Sequence, residues 1–90
     1  MSELIKAREE IEETDRQMAA LFIKRMRCAE SIAAYKKSNG IPILDKGREE
    51  ELIKKNEGYI DDPELIPYYD LFMRSVMDIS KQYQRDLIGL

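Results

Sequence analysis

From Ser2 to Ser38 the chain contains no proline or glycine, and its interior is rich in Ala, Glu, Lys, Arg, Leu and Met. Such a stretch predicts one continuous helix, with Ser2 as its N-cap and Asn39-Gly40 followed by Pro42 as its stop. About 36 residues rising 1.5 Å each make a rod of roughly 54 Å. A compact chain of 90 residues has a radius of gyration of about 12 Å and cannot enclose that rod. Leu4, Ile11, Met18, Phe22, Ala29 and Ile32 place an apolar stripe along nearly its whole length. Either the stripe stands in water or another chain covers it. The second is the better expectation: an intertwined homodimer of helices.

The remainder of the chain is also helical, and no strand pattern occurs. Asp45 is a good N-cap for a second helix after the Pro42 connection, and Gly58 stands where a C-cap residue belongs. A third helix opens at Asp61-Asp62-Pro63 and continues to about Leu87. Pro67 lies just inside it and either kinks the first turn or delays its start. The expected fold is therefore all-α, with three helices, one of them very long, in a single domain over residues 1–90.

Composition narrows the chemistry. Hydrophobic residues make up 43% of the chain and charged residues 37%, with a formal net charge of only −3. That balance disfavours nucleic acid as a partner, since a phosphate-binding surface needs a basic excess. No apolar run approaches the roughly 18 residues of a membrane span, and no signal-peptide pattern opens the chain. The expected setting is a soluble, cytoplasmic one. Cys28 is the only cysteine and there is no histidine. Zinc-type metal sites and Ser-His or Cys-His nucleophile pairs are thereby disfavoured.

The anomaly is on the apolar face of the first helix. Alternating steps of four and three residues give Leu4, Arg8, Ile11, Asp15, Met18, Phe22, Arg25, Ala29, Ile32 and Lys36. These positions share a sector of roughly 120°. A charge on a face that should be buried needs a partner or a ligand. Each cation taken alone is explained by a stem lying along the core edge with its head in water. Asp15 is a support that pairs with Arg8 or with another helix. Arg25 and Lys36, about 16 Å apart along the axis, can converge on one small anion between them. Arg8 is about 25 Å from Arg25, too far to join the same site within one chain. In an intertwined dimer, Arg8 can reach the pocket of the partner. The third helix carries Tyr69, Met73, Val76, Tyr83 and Leu87 on one face, with Ser80 and Gln84 in its middle on adjacent turns. A hydrogen bond to a neighbouring helix is the simpler reading of each.

Taken together these residues resemble the small all-helical (AroQ-type) chorismate mutases over essentially the full length of the chain. The resemblance rests on Arg8 with Ile11 and Asp15 following, Arg25 with Lys36 eleven later, Pro42 ahead of Asp45-x-x-Arg48-Glu49, and Ser80-x-x-x-Gln84. Gly47, inside the start of the second helix, is the unusual position. The resemblance implies an intertwined homodimer with two active sites that converts chorismate to prephenate by a Claisen rearrangement, in aromatic amino-acid biosynthesis. It implies no cofactor, no metal and no covalent intermediate. It assigns Arg25 and the partner's Arg8 to the two substrate carboxylates, Lys36 and Gln84 to the ether oxygen, and Glu49 to the ring hydroxyl. Asp45, Arg48 and Ser80 then line and brace the pocket.

Two rivals remain at this level. Isochorismate-pyruvate lyases resemble these mutases in fold and share the Arg and Lys framework, although Glu49 and Gln84 favour the mutase. A non-catalytic helical dimer, using the long helix as an interaction surface, leaves Ser80 and Gln84 unexplained.

Overall fold

The computed structural model describes residues 2–90. Helix α1 spans Ser2–Ser38, α2 spans Lys46–Glu57, and a short 3-10 turn at Pro63–Leu65 leads into α3, Ile66–Ile88. No strand occurs among the described residues. The molecule measures 55 × 25 × 16 Å with a radius of gyration of 16.3 Å. That is well above the about 12 Å of a compact chain of this length. The long first helix accounts for the excess.

Each helix boundary has a local cause. At the end of α1, Gly40 adopts a left-handed φ of 63°, which an L side chain resists. The Ile41 N–H then reaches back to the Lys36 carbonyl at 2.8 Å, and the Asn39 side chain caps the Tyr35 carbonyl at 2.8 Å. Three carbonyls at the helix end are closed this way, including Lys37, which accepts from Gly40. At the start of α2, Asp45 Oδ1 accepts from the Arg48 N–H at 3.0 Å, a cap that contributes about 1 kcal/mol. Gly47 does not disturb that first turn. Gly58 ends α2 with a right-handed φ of −65°, so the stop there does not depend on glycine's left-handed freedom. Before α3, Asp62 caps the 3-10 turn through Glu64 N–H at 3.0 Å. Pro67 delays the regular helix to Ile66, the second of the two outcomes its position allows.

Helix α3 is the spine. It packs against the C-terminal half of α1 on one side and against α2 on the other, while α1 and α2 do not pack on each other. The core comprises Ile53, Met73 and Met77, with Leu52 and Tyr69 packed against it. Burying each of the three contributes on the order of 2 kcal/mol. Ala29 and Ala33, one turn apart, are the buried residues of α1. Tyr83 ties α3 to α1 by donating to Glu30 Oε2 at 2.6 Å, and Arg27 pairs with the same carboxylate. Those bonds, Tyr83 first, hold the Glu30 carboxyl below its ordinary range.

Two readings of the faces need correction. Leu87 is 49% exposed, whereas Met77, absent from the expected α3 face, is buried. Asp15 and Arg8 form no ion pair with each other or with any other described residue. Both stand exposed on the open half of α1.

Candidate active site

Because α1 and α2 both lean on α3 but not on each other, a wedge of space remains between them. A cavity of about 290 Å³ occupies it, the lower end of the range for small-molecule pockets. Arg25, Lys36, Asp45, Arg48, Glu49, Ser80 and Gln84 all line it. Three separate elements thus deliver their anomalous residues to one place. Arg8 does not line it.

Local structure explains how each side chain arrives. Arg25, Ala29, Ile32 and Lys36 follow steps of four and three along α1 and so share one face. Lys36 is fixed by donating from Nζ to the Ile43 carbonyl at 2.9 Å. Ile43 itself is buried at 7% exposure, which anchors the connecting loop that supplies this acceptor. One of the three ammonium protons is thereby engaged, and two remain for the cavity. On α2, the Asp45 cap sets the first turn, and that turn carries Arg48 and Glu49 against the pocket. Arg25 is partly buried and has no carboxylate partner among the described residues.

On α3, Ser80 and Gln84 are buried at 7% and 6% exposure. Gln84 Nε2 donates to Ser80 Oγ at 3.2 Å. Gln84 Oε1 is buried with no hydrogen-bond partner. An unpartnered buried amide oxygen costs about 1–3 kcal/mol.

The sequence reading missed Lys81, Cys28, Leu52 and Met77, which also line the cavity. Lys81 is the consequential one: its Nζ lies 3.0 Å from Glu49 Oε2 and 3.3 Å from Asp78 Oδ1. The hydrogen bond to Glu49, foremost, raises the Lys81 pKa above its ordinary value. A signal was present. Met77, Ser80, Lys81 and Gln84 stand at spacings of three, one and three, the pattern of a single helical face.

A second, more apolar concavity of about 400 Å³ lies on the other side of Arg25, lined by Met18, Leu21, Phe22, Met26, Phe72, Met73, Val76 and Ile79. Among the described residues, no cluster of His, Cys, Asp and Glu could hold a metal ion. No described helix is long and apolar enough to cross a membrane.

In a comparison with protein families, the model for chorismate mutase type II matches residues 7–85. Comparisons with curated proteins and with solved structures give no significant match. The matched span reaches from just ahead of Arg8 to just beyond Gln84, and so contains every element that contributes to the cavity. The chain belongs to the chorismate mutase type II family, and is an enzyme of the isomerase type.

Proposed function

We propose that the cavity binds chorismate and converts it to prephenate by an intramolecular rearrangement, with no covalent intermediate. The observation that carries this reading is electrostatic. The cavity wall holds four cations, Arg25, Lys36, Arg48 and Lys81, against two carboxylates, Asp45 and Glu49. The wall is net positive, which suits an anionic substrate.

The reaction breaks a carbon–oxygen bond as a carbon–carbon bond forms, and needs neither nucleophile nor proton transfer. The protein must hold a flexible substrate in its compact conformer and stabilise charge on the departing ether oxygen. Arg25 takes one carboxylate through its planar pair of N–H donors. The two free protons of Lys36 and the amide of Gln84 serve the ether oxygen. Turning the Gln84 amide by 180° changes no packing. In that orientation the Ser80 hydroxyl donates to Oε1, and the amide nitrogen is released from Ser80. The orphaned oxygen is then satisfied within the chain. Glu49 accepts from the ring hydroxyl, and Asp45, Arg48 and Ser80 hold these groups in place. Gln84 donates at any ordinary pH, as a carboxylate in its place could not.

The second carboxylate falls to Arg8 of a partner copy, in an intertwined homodimer with two shared pockets. The open half of α1 supports this. Leu4, Ile11, Met18 and Phe22 are 45%, 58%, 44% and 51% exposed on one stripe, and the apolar concavity beside Arg25 continues it. A stripe of this size in water is the mark of an interaction surface. The setting is aromatic amino-acid biosynthesis, in the cytoplasm, with the chain acting as a single domain without cofactor.

The test is the loss of chorismate absorbance with purified protein in metal-free buffer, with the product identified. Prephenate is the expected product. Pyruvate and salicylate from isochorismate, with chorismate untouched, would assign the pocket to the lyase reaction instead.

A further inference from the structure

Glu49 does not face the cavity alone. Two ion pairs join α2 to α3, and they differ in kind. Arg74 and Glu50 meet at 3.0 Å with side chains 50% and 56% exposed. Lys81 and Glu49 meet at 3.0 Å with side chains only 17% and 23% exposed, in the cavity wall. The first is screened by water and holds little. The second is the stronger constraint, because fewer waters compete for either partner. Lys81 also reaches both Glu49 oxygens, at 3.0 and 3.3 Å. With Asp78 of α3 at 3.3 Å and Glu49 of α2 at 3.0 Å, the ammonium is held by carboxylates of both helices.

A glutamate in the first turn of a helix has several rotatable bonds, and here Arg48 is its neighbour in sequence. Left untethered, its carboxylate can turn away from the cavity. An uncompensated carboxylate in the wall would also repel a dianionic ligand. Lys81 answers both problems from one position.

We infer that Lys81 is a positioning residue: its ammonium holds the Glu49 carboxylate in the orientation that receives the substrate hydroxyl and cancels its charge. This rests on the role given to Glu49 above. Lys81 acts on the reaction through Glu49 rather than by its own contact with substrate. The hydroxyl contact exists in the bound substrate and the transition state alike, so its loss falls mainly on KM.

The experiment is a double-mutant cycle on the full chain with chorismate as substrate. Lys81→Met, close in length and without charge, should raise KM about tenfold and change kcat less than about threefold. Lys81→Arg should recover most of that loss. In a Glu49→Gln background, Lys81→Met should add less than about a twofold effect, because nothing is left for it to orient. Equal kcat/KM in wild type and Lys81→Met would overturn the inference. So would a Lys81→Met penalty that persists undiminished with Glu49→Gln, which would make Lys81 a direct substrate contact. Circular dichroism and thermal unfolding of each variant separate these outcomes from misfolding. A wild type that does not turn over chorismate refutes the proposed reaction instead. In that case the Lys81 ammonium resonance, followed by pH titration in wild type and Glu49→Gln, still tests the ion pair: its pKa should fall when Glu49 is removed. No fall would overturn the inference independently of activity.

Discussion

The two halves of α1 share a pattern and differ in environment. Both carry apolar residues at steps of four and three, and both interrupt that stripe with charge. Every residue from 2 to 24 is exposed, whereas beyond it Ala29 and Ala33 are buried and Arg25, Met26, Glu30 and Lys36 are partly covered. The difference lies in what the rest of the chain can reach. After the Gly40 turn, α3, roughly 34 Å long, cannot run the whole length of a 55 Å molecule. A stripe is thus a request for a partner, and the fold decides which part of the request the same chain can meet.

The packed half is the place to expect the largest effect. Lys36→Ala removes the one ammonium that both reaches the cavity and is held by a buried loop carbonyl. Its loss should lower kcat by about 10²–10³, the range for deleting a donor aimed at developing charge. Helix content and oligomeric state should not change. Near-normal turnover of chorismate would take Lys36 out of the site.

The open half is tested by asking whether its charge serves another copy. Arg8→Ala and Arg25→Ala should each be nearly inactive alone. If Arg8 completes the partner's pocket, subunit exchange between the two variants forms heterodimers with one intact site and one doubly defective site. An equal mixture should recover about a quarter of wild-type activity, half the dimers having half their sites. Exchange confirmed by native mass spectrometry without any recovery would mean that Arg8 does not serve the partner, and the contrast between the halves would then concern packing alone.

What could be read from residues, and what could not, follows the same divide. The ends of α1 and α2 were legible because Gly40 and Asp45 act through their own backbone and near neighbours. Arg25, Lys36, Ser80 and Gln84 were conspicuous because polar groups interrupted an apolar period. Lys81 was less conspicuous, since a lysine beside a polar stretch looks like a solvated residue unless its spacing from Met77 and Gln84 is weighed. Its meaning depends on Glu49, 32 positions away, and only the packing of α2 on α3 brings them together. Met77 was missed, and Leu87 wrongly placed, for a related reason. A helix packed between two others uses a broad arc, and periodicity does not say which edge of the arc is covered. For α3 the covered edge runs through Met73, Met77, Ser80 and Gln84.

The smallest expected effect is confined to the packed side and depends on pH. Glu57, at the end of α2, faces Asp70 in the second turn of α3, and Asp70 Oδ1 is buried without a hydrogen-bond donor. Two carboxyls can share a hydrogen bond only when one carries a proton. That bond, first among the causes, raises the Glu57 pKa above its ordinary value of 4.5; burial and the Asp70 charge act the same way, while Lys54 and Arg74 oppose them. The folded state therefore binds this proton more tightly than the unfolded state does. Its contribution to stability is fully present below pH 4.5 and is lost as pH rises through the raised folded value. Glu57→Gln keeps a donor toward Asp70 at every pH and removes that loss. The gap in unfolding midpoint between Glu57→Gln and wild type should thus widen in favour of the variant from pH 4.5 towards neutrality. Comparing the two proteins cancels the opposite trend from Glu30 and Glu50, whose pKa values are lowered by Tyr83 with Arg27 and by Arg74 respectively. A gap that stays constant across that range would show that Glu57 and Asp70 share no proton. A widening gap would show that the α2–α3 contact responds to acid.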